Sequence, residues 1–148
     1  MRRAVTALST LAVLALPLAN LTARAASATL TAAKKKSVWK KVVGPQAQAN
    51  RWGYVEVTLV VRKTTITTGS GANAKTKVTR KITGAPVPVY PNHTGRSVFI
   101  SEQAIPMLIG EVLREQMNPN IQLISGATYT SEAFIQSLQA AIVKAKKV

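Results

Sequence analysis

The sequence predicts a small α+β domain, with a small antiparallel sheet and helices packed on one side of it. Apolar residues alternate with polar ones in the stretch "WGYVEVTLVVRK" and again, after a Gly- and Ser-rich segment, in "TKVTRKITGAPVPVYP". From residue 101 onward they fall at helical spacing instead. Strands followed by helices are typical of the α+β class, and 148 residues suit a single core.

The first 25 residues are predicted to be a secretory signal. The basic start "MRR" is followed by the apolar run "AVTALSTLAVLALPLANL", and "ARA" fits a small-residue cleavage site. An uncleaved membrane anchor is the alternative, since the run approaches the roughly 20 residues that span a bilayer. Pro17 and Asn20 favour cleavage. We therefore expect an extracytoplasmic protein, either secreted or attached to the outer face of the cytoplasmic membrane.

Residues 26–48 are predicted to form a basic linker that becomes ordered near Val42, with Trp39 packed on the domain or placed at a membrane surface. Packing is the commoner fate of a tryptophan. The stretch that follows is a strand with one buried face, formed by four apolar residues: Val55, Val57, Leu59 and Val61. The next extended run completes a hairpin with a long, flexible tip.

Two helices are predicted in the C-terminal half. The first carries the apolar residues of 105–117 on one face and begins near Ser101 or at Pro106, because proline is tolerated best in the first helical turn. The sequence "NPN" stops it, and "IQLI" is predicted to be a short strand. The last helix begins near Glu132 and has an apolar face. It ends in "KAKK", which places cations at the C-terminal end, where the helix dipole stabilises positive charge.

Charge and composition restrict the possible functions. The chain has 20 basic and 5 acidic residues, all of the latter glutamate, and no cysteine. It therefore has no thiol chemistry of its own. His93 is expected to be exposed, and neither a metal site nor a hydrolytic triad can be built. The charge attracts polyanions, but export favours envelope polymers, lipid head groups or a phosphorylated cofactor over nucleic acid. Solubility by net charge is the simpler interpretation for most of the lysines.

The segment "SGATYTS", residues 125–131, is the most informative motif. Gly126 permits backbone dihedrals closed to other residues and allows another molecule to come close. Thr130 or Ser131 can cap the last helix. The amides of its first turn attract an anion, usually a phosphate. Composition alone leaves a simple helix cap as the more conservative interpretation.

This motif, preceded by a short apolar segment and followed by "EAFIQSLQAAIVKA", resembles the signature of the FMN-binding domain family. Members carry covalent flavin in a subunit of the sodium-translocating NADH:quinone oxidoreductase and in the Rnf electron-transport complex. The likeness extends upstream through "KITGAPVPVYPN" and "RSVFISEQAIPMLIGEVLREQM", so the predicted FMN-binding domain spans 49–148. The run is more specific than a lone glycine-rich loop.

The resemblance implies that Thr128 forms a phosphoester with FMN, delivered from FAD by a flavin transferase that uses magnesium. The cofactor-binding residues it implies are Ser125, Gly126, Ala127, Thr128, Tyr129, Thr130, Ser131, Arg96, Ser97 and Tyr90. Arg96 would meet the phosphate or be simply exposed, and Ser97 would meet the flavin ring. Tyr129 would stack on the ring or be a half-buried surface aromatic.

The function implied is extracytoplasmic electron transfer with a membrane-bound redox partner, a redox carrier rather than a self-sufficient enzyme. One departure is Gln122, where the family usually has Asp six residues before the modified threonine. Non-covalent FMN binding is therefore an alternative. A second alternative, from a different class, is a basic, non-enzymatic module that binds anionic polymers of the cell envelope.

Overall fold

The computed structural model describes residues 33–148; the predicted signal and the first part of the predicted linker lie outside them. Five strands precede two helices: β1 (Lys34–Val43), β2 (Ala47–Gln48), β3 (Tyr54–Val55), β4 (Thr58–Thr68), β5 (Lys75–Gly84), α1 (Gly95–Glu115) and α2 (Thr128–Lys147). Neither of these helices is long and apolar enough to cross a membrane. The predicted α+β class is confirmed.

The main sheet is antiparallel, with β4 between β1 and β5. The predicted β4–β5 hairpin is present, and its tip is a short 3-10 turn at Gly71–Asn73. A bulge lies where β4 passes from Val60 to Val61. The short strands β2 and β3 pair with each other beside the sheet, and a single bridge between Glu56 and Val89 holds the segment that leaves β5.

Strand β1 corrects the linker prediction. Residues Lys34–Val43, assigned to a basic linker that becomes ordered near Val42, pair with β4 along their whole length. Val42 alone is buried in this strand, so the apolar alternation that marks a strand is missing. Backbone pairing to β4 holds the strand instead. Trp39 is 60% exposed, so the expectation that it packs on the domain is wrong.

The core lies between one face of the sheet and the two helices. All four predicted inward residues of 55–61 are at most 1% exposed. Helix α2 covers them with Phe134 and Leu138, and α1 adds Leu108 and Val112, all fully buried. Helix α2 packs on β1 and β4, and α1 packs on β5 and α2. The other face of the sheet has no helix on it in the described part of the chain.

Helix α1 starts earlier than the sequence pattern predicts. It begins at Gly95 because Thr94 and Ser97 form a capping box, in which each side chain accepts a hydrogen bond from the other residue's backbone N–H. Pro106 lies inside the helix at an exposed position. The predicted strand "IQLI" is wrong: residues 121–124 form no ladder, and Leu123 is 51% exposed.

Candidate functional site

The loop that enters α2 is closed by three short-range hydrogen bonds. The Ala127 amide donates to the Ile124 carbonyl at 3.0 Å, and the Ser131 amide donates to the Ala127 carbonyl at 2.9 Å. The Ile124 amide donates to Oγ of Ser131 at 3.1 Å. Gly126 has φ of +80°, a left-handed conformation that side-chain-bearing residues seldom adopt. The loop therefore depends on Gly126 and Ser131.

Helix α2 begins at Thr128, with Ala127 as the N-cap residue and no side-chain cap. The prediction that Thr130 or Ser131 caps the helix is wrong, because both lie inside its first two turns. They are buried there, Thr130 at 6% exposure and Ser131 at 0%. The Ser131 hydroxyl instead accepts from the chain that precedes the helix.

We expect Ser131→Ala to lower the free energy of unfolding by about 1–3 kcal/mol, since it leaves the Ile124 amide without its acceptor. Ser125→Ala is the matched control, because Ser125 is exposed in the same loop; we expect it to change stability by less than about 0.5 kcal/mol. Urea unfolding followed by circular dichroism measures both. Equal stability of the two variants would show that this hydrogen bond contributes nothing.

The start of α2 forms one wall of a pocket. The lining consists of residues 126–130 together with Trp52, Pro91, Arg96, Ser97 and Ile100, around a cavity of about 200 Å³. A more open groove of about 730 Å³ adjoins it, and the two share Arg96, Ile100, Gly126 and Ala127. Phe99, Met107 and Leu123 give this groove exposed apolar walls.

The structure brings most of the predicted site residues together, although they come from separate segments. Arg96 and Ser97 lie in the first turn of α1 rather than in the predicted loop, and they face the pocket that residues 126–130 also line. Ser125 lines the adjoining groove. Ser131 is buried beneath the loop. Tyr90 lines neither depression, and Tyr129 is 50% exposed on the pocket wall.

The Ser97 hydroxyl, which was expected to contact the flavin ring, instead contacts the backbone of Thr94. It donates to the Thr94 carbonyl at 2.9 Å and accepts from the Thr94 amide at 3.1 Å. The side chain is 6% exposed. The hydroxyl is therefore engaged in the capping box, and its main contribution to the pocket is to fix the first turn of α1, which carries Arg96.

Trp52 is a pocket residue that the sequence analysis missed. Its ring stacks on that of His93, with the ring centroids 6.0 Å apart and an angle of 26° between the ring planes. The Arg51 guanidinium lies over the Trp52 ring, 4.9 Å from the ring centroid. These contacts orient the indole beside Pro91 at the mouth of the pocket. The sequence gives only a weak indication that Trp52 belongs to a site. It is one of two tryptophans in the chain, and it lies next to Gly53 at the start of a predicted strand.

The electrostatics of the pocket suit a phosphate. The backbone amides of Thr128, Tyr129 and Thr130 lack intrahelical partners, as first-turn amides do, and none of them joins the cap and loop hydrogen bonds of residues 33–148. The positive end of the α2 dipole and Arg96 both face this point. No acidic residue lines the pocket. The described residues also contain no cluster that could hold a metal ion.

The remaining lining suits a planar aromatic group. Trp52 and Tyr129 supply aromatic side chains, and Ile100 and Pro91 supply apolar surface. Together with the anion-attracting N-terminus of α2, this lining defines a small α+β domain with a pocket that suits a phosphorylated aromatic cofactor.

The comparison with known families identifies that cofactor. A family model described as FMN-binding domain matches residues 28–143. The chain belongs to this FMN-binding domain family, and FMN is its cofactor. The match begins upstream of β1 and includes residues 28–48 of the stretch predicted to be a linker. No curated protein matches the chain.

Proposed function

We propose that this protein is an extracytoplasmic electron-transfer domain that carries FMN through a phosphoester to Thr128. The observation that carries this proposal is the position of the Thr128 hydroxyl. Thr128 is exposed, stands first in α2, and lines the pocket. Its side chain makes no hydrogen bond to any other residue of 33–148, whereas the next two aliphatic hydroxyls, those of Thr130 and Ser131, are buried.

Attachment requires a separate flavin transferase with FAD as donor and magnesium. The Thr128 oxygen bonds to the phosphorus of the FMN half, the bond between that phosphorus and the AMP half breaks, AMP leaves, and the hydroxyl proton is lost to solvent. No electrons are transferred in this step. The small residues Gly126 and Ala127 leave room around the hydroxyl for another enzyme's active site.

Other residues of the pocket would then hold the FMN attached to Thr128 in place. The linkage carries one negative charge, which Arg96 and the first-turn amides of α2 neutralise. Trp52 and Tyr129 flank the space available to the ring. The flavin, when bound, supplies the one- and two-electron chemistry that the amino acids lack.

We propose a redox carrier rather than a self-sufficient enzyme, with a membrane-bound redox partner that delivers the electrons. The ionisable residues that line the pocket are Arg96 and Tyr129. A covalent tether suits an exported carrier, because even a Kd of ~1 μM, about 8 kcal/mol, loses ligand on dilution into the medium.

Intact mass of the protein recovered after export tests the proposal. Co-expression with a flavin transferase is expected to add the mass of one flavin-phosphoryl group. A yellow protein of unmodified mass that loses its colour on denaturation would instead establish non-covalent binding. A colourless protein that binds anionic polymers, with affinity falling steeply as salt rises, would support the basic binding module.

The transferase is also expected to respond to position 122. Gln122 is exposed in the loop six residues before Thr128. If the transferase reads a carboxylate there, Gln122→Asp raises the modified fraction under limiting transferase. Gln122→Asn is the control, because it shortens the side chain equally without adding charge. The fractions are read from intact mass, and identical values for both variants would mean that this departure from the family pattern has no bearing on attachment.

A further inference from the structure

Charge is unevenly distributed over the described residues. Strands β1, β4 and β5 carry five, two and four basic residues, eleven in all, and no acidic residue. The rest of 33–148 is almost balanced, with six basic residues and five glutamates. Solubility requires net charge but no particular placement, so it does not explain why the excess is gathered on one sheet.

Six of the eleven cations lie on the sheet face that points away from the helices. Side chains of a strand alternate between faces, and the inward face is fixed by the buried residues Val42, Leu59 and Ile82. The register places Lys35 and Lys77 on either side of Ile66, and Trp39 and Lys81 on either side of Arg62. We call the outward set the cationic face: Lys35, Trp39, Lys41, Arg62, Lys75, Lys77 and Lys81.

An aromatic side chain stands in the middle of these charges. Trp39 is 60% exposed, and Val43 on the same face is 46% exposed. Nε of the neighbouring Arg62 is buried without a hydrogen-bond partner among residues 33–148. A soluble polyanion needs only the cations. An exposed indole among lysines, with apolar surface beside it, is instead typical of proteins that lie at a membrane interface.

We propose that the cationic face docks on the surface of an anionic lipid bilayer. The lysines lie over the head groups, and Trp39 enters the interfacial layer. Each basic residue near an anionic leaflet strengthens binding by about fivefold at moderate salt. The pocket shares no residue with the cationic face, so bilayer and cofactor can be bound at once. The proposal does not depend on how FMN is attached.

Co-sedimentation of the full chain with lipid vesicles tests the proposal. Vesicles of phosphatidylcholine alone are compared with vesicles that also contain phosphatidylglycerol, and the difference between the two isolates the contribution of anionic lipid. Lys35→Glu with Lys77→Glu reverses two charges of the cationic face. Lys146→Glu with Lys147→Glu, at the exposed end of α2, changes net charge equally and is the matched control.

We expect the variant of the cationic face to weaken binding to anionic vesicles by at least about tenfold and the α2 control by less than about threefold. Equal weakening by both pairs would overturn the proposal, because net charge alone would then explain the binding. If the glutamate pair does not fold, judged by circular dichroism, Lys35→Gln with Lys77→Gln replaces it, with the same requirement of a larger loss than Lys146→Gln with Lys147→Gln.

Tryptophan fluorescence distinguishes a bilayer from a soluble polyanion. A blue shift is expected when anionic vesicles are added; it should persist in Trp52→Phe and disappear in Trp39→Phe. Double-stranded DNA and polyphosphate are the comparison ligands. The docking proposal is overturned if these polymers bind through the cationic face, as judged by the same lysine variants, while anionic vesicles do not bind.

Discussion

Thr128→Ala is expected to abolish covalent flavin while the protein still folds. Thr128 is exposed at the first position of α2, so its replacement removes no buried contact, and alanine is a good helix former. The substitution removes the one oxygen that we propose bonds to phosphorus. We expect a change of less than about 0.5 kcal/mol in the free energy of unfolding, as for most exposed substitutions.

A denaturing gel viewed under ultraviolet light measures the attached flavin after co-expression with the transferase. Thr130→Ala and Ser125→Ala are the controls, and both should keep the fluorescent band. Thr130→Ala should also lower stability by about 1 kcal/mol, because Thr130 is 6% exposed and loses buried atoms, not because it caps the helix. A band that persists in Thr128→Ala, or vanishes only in Ser125→Ala, would place the linkage on another hydroxyl.

Gly44→Ala is expected to destabilise the fold by about 3 kcal/mol. A Cβ at this position would lie 2.5 Å from both the carbonyl oxygen and Oγ of Ser137, and 3.0 Å from the carbonyl oxygen of Val57. Oγ of Ser137 is already engaged, since it accepts from the Val57 amide at 2.9 Å in a buried setting. The Gly44 amide donates a hydrogen bond to the carbonyl oxygen of Val57 at 2.8 Å. The added methyl group therefore forces α2 away from the sheet.

Gly110→Ala is the matched control for that prediction. Gly110 is exposed within α1, and a Cβ there would have no neighbour within 4 Å. Alanine should raise the free energy of unfolding by about 0.5–1 kcal/mol, because glycine is the poorer helix former. Guanidinium unfolding of both variants gives the comparison. A Gly44→Ala protein as stable as the parent would mean that α2 and the sheet do not approach as closely as the structure shows.

Local patterns in the sequence were sufficient for the centre of the fold. The alternation of Val55, Val57, Leu59 and Val61 predicted a buried strand face, and each of these side chains is buried as expected. The final helix was also predicted from its apolar face, although it begins at Thr128 and not near Glu132. These signals are readable because each element buries one regular stripe, and burial imposes its period on the residues.

The motif at 125–131 was informative for a related reason. Its small residues and Gly126 reflect requirements of the backbone itself, so the family could be predicted from the chain alone, and an anion-attracting N-terminus of the last helix with it. The role of each hydroxyl could not. The Ser131 hydroxyl can either cap its own helix or accept a hydrogen bond from the Ile124 amide. Which of the two occurs depends on the conformation of the loop that precedes α2.

Tertiary structure alone decided the features that join distant segments. Strand β1 has one buried residue and so no apolar period; its partner β4 supplies the backbone hydrogen bonds that hold it. Trp52 reaches the pocket only because the chain from β3 onward returns beside the two helix N-termini. Six of the eleven basic residues of β1, β4 and β5, which are dispersed along the sequence, come to share one sheet face only when the register of the three strands is fixed. Such juxtapositions depend on long-range pairing, which a local sequence pattern does not record.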